Sequence, residues 1–421
     1  APRRRLAPAP PRASPGTTSH RRARADAMTM SNDDLDAVRA RVARGPLFPS
    51  LALTPEDVTP ERVEDWSALA GRLCSHLGLD ARALGDADAS RVYELYLPTH
   101  LWLVRRLEAH RARHAAASSA SAATTTPAGR PPALVVGLSA PQGCGKTTLT
   151  RALARSLAAH ADVAAVVASV DDFYLTAAEQ DALARANPGN ELLRFRGNPG
   201  THDVRLALDT LAAFDETAAP EPGAPERARR EERKKVLLPR YDKSLRGGRG
   251  DRAPRATWPE VDPLATDVFL LEGWMLGFEP VGSAVAARIH PGLPAVDAEL
   301  RRRGGYDALH AAVRDWIVVR AVGGGGEKKA PAATPIASVR RWRLEQEREA
   351  RAEGKPTLTD EEVADFVERF APAYEAYAPG LYARAARGGG RGAKAREGGG
   401  VLEGAAEGEE AAEGEGAAAG E

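Results

Sequence analysis

The chain has 421 residues, of which 43% are hydrophobic, so it is long enough for two domains or for one domain with long extensions. Its 58 Lys and Arg residues balance 58 Asp and Glu residues, which argues against nucleic acid or an anionic membrane as the main partner. No apolar run approaches the roughly 20 residues needed to span a bilayer. The two cysteines, Cys74 and Cys144, form neither a metal-binding spacing nor a disulfide framework, so a reducing compartment is expected.

The first 25 residues are strongly basic: they contain seven Arg and no Asp or Glu, together with many Ala, Pro, Ser and Thr residues. This bias is typical of an organelle transit peptide, which we assign to residues 1–26. A basic, unstructured tail is the alternative, because the Pro and Gly residues would interrupt an amphipathic helix.

Residues 27–115 are predicted to form a helical N-terminal region. Apolar side chains recur at helical spacing over 65–77 and again over 101–107. Residues 116–132 are rich in Ala, Ser, Thr and Pro, which predicts a linker. We expect the helical region to cap the domain that follows the linker.

Residues 133–387 alternate apolar strand patterns with helical patterns, which predicts an α/β fold with a mostly parallel sheet and helices on both faces. The predicted strands are 134–136, 163–170, 268–271 and 316–319. Two insertions, 217–235 and 322–335, are expected to be exposed, mobile loops. Thr359 and Glu362 form a capping box that predicts the start of a late helix.

The segment 133–148, ALVVGLSAPQGCGKTT, has the layout of a phosphate-binding P-loop: an apolar strand, a Gly-containing loop and a helix. Backbone N–H groups of such a loop surround a polyphosphate, Lys146 reaches the β- and γ-phosphates, and the Thr147 hydroxyl ligates Mg²⁺. Ala140 replaces the first Gly of the usual pattern. The predicted nucleotide-binding residues are Ala140, Pro141, Gln142, Gly143, Cys144, Gly145, Lys146, Thr147 and Thr148.

Acidic residues follow two of the predicted strands, at the carboxyl edge where open α/β sheets bind ligands. Asp171 and Asp172 follow the strand at 163–170, and a carboxylate there can accept the proton of an attacking hydroxyl. The alternative is a pair of helix-capping residues. Glu272 follows the strand at 268–271, where an acid orients Mg²⁺ or its bound water. The predicted metal site therefore comprises Thr147, Asp171 and Glu272.

Seven segments, in order along residues 134–382, resemble plant-type D-glycerate 3-kinases: SAPQGCGKTTL, SVDDFYLT, NPGNELLRFRGNPGTHD, PRYDKSLRGGRGDR, TWPEV, LLEGWMLGF and RWRLEQE. The resemblance implies a P-loop kinase fold related to phosphoribulokinase, uridine kinase and pantothenate kinase. It also implies phosphorylation of the 3-hydroxyl of D-glycerate by ATP and Mg²⁺. In plants and algae this reaction ends photorespiration in the chloroplast, so the resemblance implies a stromal protein.

The resemblance further implies roles for individual residues. Asp171, the first acid of a D-x-F motif, corresponds to the base, and Asp172 is the second candidate. Substrate binding is expected along 197–203 and from nearby cations, because a short carboxylate requires charged donors. The predicted substrate residues are Arg196, His202, Asp203, Arg240, Tyr241, Lys243 and Arg252. Asp203 as an ordinary turn residue is the alternative for that position.

Arg341 and Arg343 are predicted to begin a helix after the fourth strand, where this group of kinases has a mobile lid. One of these arginines is expected to close onto the phosphates during transfer. The alternative is a solvated helix face on which Glu345 and Glu347 are i,i+4 partners of the two arginines.

The C-terminal end departs from the family pattern. In the family, the last helix is followed by a further strand and a loop near the adenine. In this chain, residues 388–421 contain Gly, Ala and Glu with little else. Because this composition cannot bury a core, we predict a disordered tail. Adenine-contacting residues are not assigned.

Two other functions stay open on the sequence: another small-molecule kinase of the same group, or a regulatory P-loop NTPase. The regulatory function is disfavoured because the chain has no Asn-Lys-x-Asp guanine motif and its third strand ends in Glu-Gly. We expect a monomer that acts on a small molecule, with no nucleic-acid or membrane partner.

Overall fold

The computed structural model describes residues 31–120, 131–215, 235–321, 335–352, 354, 358–387 and, for the backbone alone, 399–404. The predicted transit peptide and almost all of both predicted insertions lie outside these residues. In the described ranges, no helix combines the length and the apolar composition that a membrane span requires.

A parallel sheet forms the centre of the protein, with the strand order β2-β7-β1-β8-β9. Two short antiparallel pairs, β3 with β6 and β4 with β5, lie outside it. The strands are β1 Leu134–Ser139, β2 Ala165–Ser169, β3 Val236–Leu237, β4 Tyr241–Asp242, β5 Asp251–Arg252, β6 Glu260–Val261, β7 Val268–Gly273, β8 Asp315–Ala321 and β9 Gly399–Gly404. The predicted parallel sheet is thus confirmed.

Helices cover both faces of this sheet. They are α1 Asn32–Arg44, α2 Pro60–Leu77, α3 Asp86–Ser90, α4 Leu97–Ala120, α5 Lys146–Ala161, α6 Ala177–Ala186, α7 Glu191–Arg194, α8 Val204–Ala212, α9 Ser283–Ile289, α10 Leu293–Arg301, α11 Tyr306–Ala312, α12 Ile336–Ala352, α13 Asp360–Glu368 and α14 Ala371–Ala386. A π-helical segment, Arg91–Tyr96, joins α3 to α4, and short 3₁₀ turns include Val170–Phe173 after β2.

The two faces of the sheet belong to two separate apolar cores, because successive strand side chains point in opposite directions. Val135 and Phe269 pack against the helices from α8 onward, whereas Val136 and Leu270 pack against α5 and the N-terminal helices. The N-terminal region therefore supplies one complete layer of the domain.

The register of the central strands brings the predicted site together. Ser139, at the end of β1, pairs with Gly273 of β7, and Ser169, at the end of β2, pairs with Glu272. The P-loop, the Asp171 segment and Glu272 therefore emerge side by side at the carboxyl edge. Strands β1 and β7 are buried along their whole length, as expected for central parallel strands.

The structure differs from the sequence-based prediction in three places. Helix α4 continues to Ala120, into the predicted linker 116–132, because its Ala-rich end favours helix. Helix α12 begins at Ile336, so Arg341 and Arg343 lie in its second and third turns. Within the predicted disordered tail 388–421, β9 pairs in parallel with β8, since an edge strand can be held by main-chain hydrogen bonds alone.

Candidate active site

The P-loop connects β1 to α5, and its strand, loop and helix follow in the predicted order. Gly143 and Gly145 both have φ of +82°, in the left-handed region that glycine adopts at little cost. Ala140 has a negative φ, so the Gly that it replaces is not required here. The Lys146 Nζ donates to the Pro141 carbonyl oxygen at 3.0 Å, which folds the amine back over the loop.

Thr147 and Glu272 form a linked pair beside the loop. The Thr147 Oγ1 donates to Glu272 Oε1 at 2.7 Å, and Glu272 is only 3% exposed. Burial raises the pKa of Glu272, although Thr147 and Lys146 oppose the shift. Among the described residues, its second oxygen, Oε2, is buried without a hydrogen-bond partner. An orphaned carboxylate oxygen beside a P-loop hydroxyl fits a Mg²⁺ ion or its bound water.

Asp171 lies in the 3₁₀ turn after β2. Its Oδ2 accepts from Lys243 Nζ at 2.6 Å, and its Oδ1 accepts from the Tyr174 hydroxyl at 2.9 Å. Burial favours the neutral acid, but the Lys243 ammonium outweighs it and holds the pKa of Asp171 well below its usual range. Asp171 is therefore ionised while Lys243 is bound to it.

Asp172 has a different environment, although it is the next residue. Its Oδ2 accepts from the Ser169 N–H at 3.1 Å and pairs with Arg240 Nη1 at 3.0 Å, while its Oδ1 accepts from the Tyr241 N–H at 3.3 Å. Burial raises its pKa against the opposing Arg240. Asp172 therefore fits the alternative prediction of a capping residue, because each of its carboxylate oxygens accepts a hydrogen bond from a backbone N–H group.

Three of the four predicted substrate-binding cations are paired with acids in this form of the protein. Arg240 pairs with Asp172, Lys243 with Asp171, and Arg252 Nη2 with Asp203 Oδ2 at 2.9 Å. Arg196 instead donates to the carbonyl oxygens of Gly248 and Arg249 and lies over the Tyr241 ring. Arg196 therefore has no carboxylate partner within the described ranges.

Asp203 and His202 precede α8. Asp203 is the N-cap of α8, and its Oδ1 accepts from the Leu206 N–H at 2.9 Å. This capping role agrees with the alternative prediction that Asp203 is an ordinary turn residue. His202 is 5% exposed, stacks on Tyr174 with ring centroids 4.6 Å apart, and makes a 2.7 Å hydrogen bond with the Tyr306 hydroxyl. Neither tyrosine is predicted from the sequence. Tyr174 lies in a family-like segment, but no sequence signal points to Tyr306.

Helix α12 lies directly against the P-loop. The Gln346 Nε2 donates to the Gly143 carbonyl oxygen at 3.1 Å, and a Cβ on Gly143 would approach the Trp342 Cβ to 2.8 Å. The two predicted lid arginines make the i,i+4 pairs of the alternative interpretation: Arg341 with Glu345 at 3.9 Å and Arg343 with Glu347 at 2.5 Å. The helix thus touches the phosphate-binding loop while both guanidinium groups contact its own acids.

In this parallel sheet the P-loop follows β1, the acid pair follows β2, and Glu272 lies near the end of β7, the strand between them. This arrangement defines a P-loop kinase. No protein-family model matches the chain. The chloroplastic D-glycerate 3-kinase of Arabidopsis thaliana is 37% identical over 348 residues, covering 82% of this chain and 67% of that protein. The chain belongs to the D-glycerate 3-kinase family.

Other relatives agree with this assignment. The uncharacterized kinase mug58 of Schizosaccharomyces pombe is 36% identical over 260 residues, covering 60% of this chain and 82% of that protein. The structure of D-glycerate 3-kinase from Cryptococcus neoformans var. grubii is 28% identical and superimposes with a TM-score of 0.52, covering 67% of this chain and 89% of that one. The kinase fold is therefore shared with a solved family member.

Proposed function

We propose that this protein transfers the γ-phosphoryl group of ATP to the 3-hydroxyl of D-glycerate and forms 3-phosphoglycerate. The main support for this proposal is that Lys146 and Asp171 lie at the same edge of the sheet. Glu272 lies between them, on the strand that pairs with both β1 and β2. This arrangement supports phosphoryl transfer to a hydroxyl. Membership of the D-glycerate 3-kinase family supports the choice of substrate.

The residues around the P-loop would hold ATP and Mg²⁺. When bound, Mg²⁺ neutralises phosphate charge that develops during transfer. The Thr147 hydroxyl and the orphaned Glu272 oxygen would hold the ion or its water. Lys146 would leave the Pro141 carbonyl oxygen, with which it now bonds, and contact the β- and γ-phosphates.

Asp171 would accept the proton of the 3-hydroxyl. Its Oδ2 is now occupied by Lys243, which is 58% exposed and lies on the glycine-rich segment after β4. A substrate carboxylate competes with Asp171 for this ammonium, so binding of D-glycerate would free the base. Arg196, which lacks an acid partner among the described residues, would be the second contact for the carboxylate.

Arg341 and Arg343 would serve as lid cations. Helix α12 already contacts the P-loop through Gln346, so either guanidinium group, once released from its glutamate partner, would be available to contact the phosphates. Closure of the helix would also exclude water from the transferring group.

The substrate is tested by ADP release with D-glycerate, L-glycerate, uridine and pantothenate. We expect D-glycerate to give the highest kcat/KM, and a higher value for uridine or pantothenate would overturn the proposal. Lys146→Ala should lower kcat by about 100-fold or more at an unchanged melting temperature, because one charge at the transferring group is lost. Lys235→Ala, which removes an exposed partner of Glu260, is the matched control and should retain activity.

We also propose that the protein acts in the plastid, as the photorespiratory enzyme does. The support is the Arg-rich, acid-free start of the chain and the chloroplastic relative from Arabidopsis thaliana. A fluorescent fusion of residues 1–45 should accumulate in plastids, whereas cytosolic fluorescence would contradict this location.

A further inference from the structure

The hydrogen bonds around Tyr306 determine which nitrogen of His202 carries the proton. The Tyr306 hydroxyl oxygen accepts from the Gly200 N–H at 2.8 Å, and the same hydroxyl lies 2.7 Å from His202 Nδ1. Tyr306 is 1% exposed, and its own proton has no other acceptor among the described residues. The hydroxyl therefore donates to Nδ1, which leaves the ring proton on Nε2.

His202 is also neutral. Burial lowers its pKa to about 4, although the nearby Asp171 carboxylate opposes the shift. A neutral imidazole with its proton on Nε2 is a hydrogen-bond donor at that atom. In the part of the chain that the structure describes, Nε2 is buried and has no partner. A buried donor without a partner costs free energy, so an acceptor is expected from a ligand.

The location of the ring identifies that ligand. The imidazole stacks on Tyr174, whose hydroxyl donates to Asp171 Oδ1, so His202 lies beside the proposed base. We infer that His202 donates its Nε2–H to the 2-hydroxyl oxygen of D-glycerate, and that Tyr306 positions it by fixing the tautomer. This inference rests on the proposed function.

The 2-hydroxyl fits this donor better than the other oxygens of the substrate. The 3-hydroxyl is the nucleophile and gives its proton to Asp171, and a second donor to its oxygen would weaken it. The carboxylate carries a full charge and is better matched by cations such as Arg196 and Lys243 than by a neutral imidazole. The 2-hydroxyl lies on the neighbouring carbon and is neutral, so a neutral donor beside Asp171 suits it.

The first test compares D-glycerate with 3-hydroxypropanoate, which lacks only the 2-hydroxyl. His202→Phe keeps an aromatic ring for Tyr174 but has no donor, so kcat/KM for D-glycerate should fall by about 10- to 100-fold. The value for 3-hydroxypropanoate should change by less than about threefold, and His202→Gln, whose amide nitrogen restores a donor, should recover part of the loss. Equal losses on both substrates would overturn the inference. A wild-type enzyme inactive on D-glycerate would instead overturn the proposed function.

The second test reads the tautomer directly by ¹⁵N NMR of the histidine rings, with His202 assigned from the signal lost in His202→Gln. The wild-type ring should be protonated at Nε2, and D-glycerate should shift the Nε2 resonance. Tyr306→Phe should give a mixture of tautomers and weaken D-glycerate binding. Tyr377→Phe is the matched control, because that buried hydroxyl has no partner within the described ranges, and it should change neither signal. Protonation at Nδ1 in the wild type would refute the role of Tyr306.

Discussion

At the residue scale, the neighbours Asp171 and Asp172 show how the same side chain acquires different chemistry. Asp172 has both oxygens fixed by backbone N–H groups and Arg240, whereas Asp171 is held by two side chains that can move away, Lys243 and Tyr174. A base must release its partners when the substrate arrives. Asp171 is therefore the better candidate for accepting the hydroxyl proton.

The Lys243–Asp171 contact predicts a pH effect. Lys243→Met removes the ammonium that keeps the pKa of Asp171 low, while the burial that raises it remains. Because the base must be ionised, the acidic limb of the kcat/KM profile should move to higher pH. Arg246→Met, which removes the partner of Asp251 on the same segment, should leave the limb in place. An unmoved limb in Lys243→Met would mean that Asp171 is not the titrating base.

At the scale of elements, helix α12 and the P-loop behave as one unit. Trp342 packs against Gly143, Gln346 bonds to its carbonyl oxygen, and Tyr374 of α14 accepts from the Gln142 N–H at 3.0 Å. The loop is thus supported by two helices that follow it by about 200 residues in the chain. Its shape depends on packing as well as on its own glycines.

Substitutions at the two P-loop glycines distinguish the effect of packing against α12 from the effect of the glycine backbone conformation. Gly143→Ala and Gly145→Ala both force alanine to φ of +82°, which costs roughly 1–2 kcal/mol. Only the Cβ at 143 would also meet Trp342, at 2.8 Å, whereas nothing lies within 4 Å of a Cβ at 145. Denaturant unfolding without nucleotide should show the larger loss of stability for Gly143→Ala. Equal losses would show that α12 does not constrain the loop.

At the scale of the whole molecule, the N-terminal helices are bound to the sheet by charge as well as by apolar packing. Arg106 and Arg111 of α4 pair with Asp315 and Asp267, at 2.6 and 2.7 Å, and these acids lie at the amino ends of β8 and β7. The region therefore holds the sheet opposite the active site. This makes it part of the folding unit.

The Arg106–Asp315 pair gives a stability prediction. Asp315 is 4% exposed, so Arg106→Met leaves a buried charge without compensation and should lower the free energy of unfolding by about 3–5 kcal/mol. Adding Asp315→Asn should recover part of this loss, because the uncompensated charge is removed. Arg205→Met, which breaks the exposed pair with Asp209, should cost about 1 kcal/mol or less. A small loss for Arg106→Met would show that the pair does not anchor α4.

The sequence determined the features that depend on neighbouring residues. The strand–loop–helix layout around Lys146, the parallel sheet and the capping box at Thr359 are written in local periodicity and turn chemistry, and the structure has all three. The family could be recognised for the same reason, since its motifs are continuous segments.

How remote segments meet depends on the folded structure. Folding gives Asp171 and Asp172 different hydrogen-bond partners, and it brings the Tyr306 hydroxyl to His202, which is 104 residues away in the chain. It also packs α12 against the P-loop and pairs β9 with β8. None of these contacts is visible as a periodic pattern in the sequence, because each depends on two surfaces that come together only after the chain has folded. The identity of a proton donor or of a free carboxylate is then set by packing and burial, which local sequence does not encode.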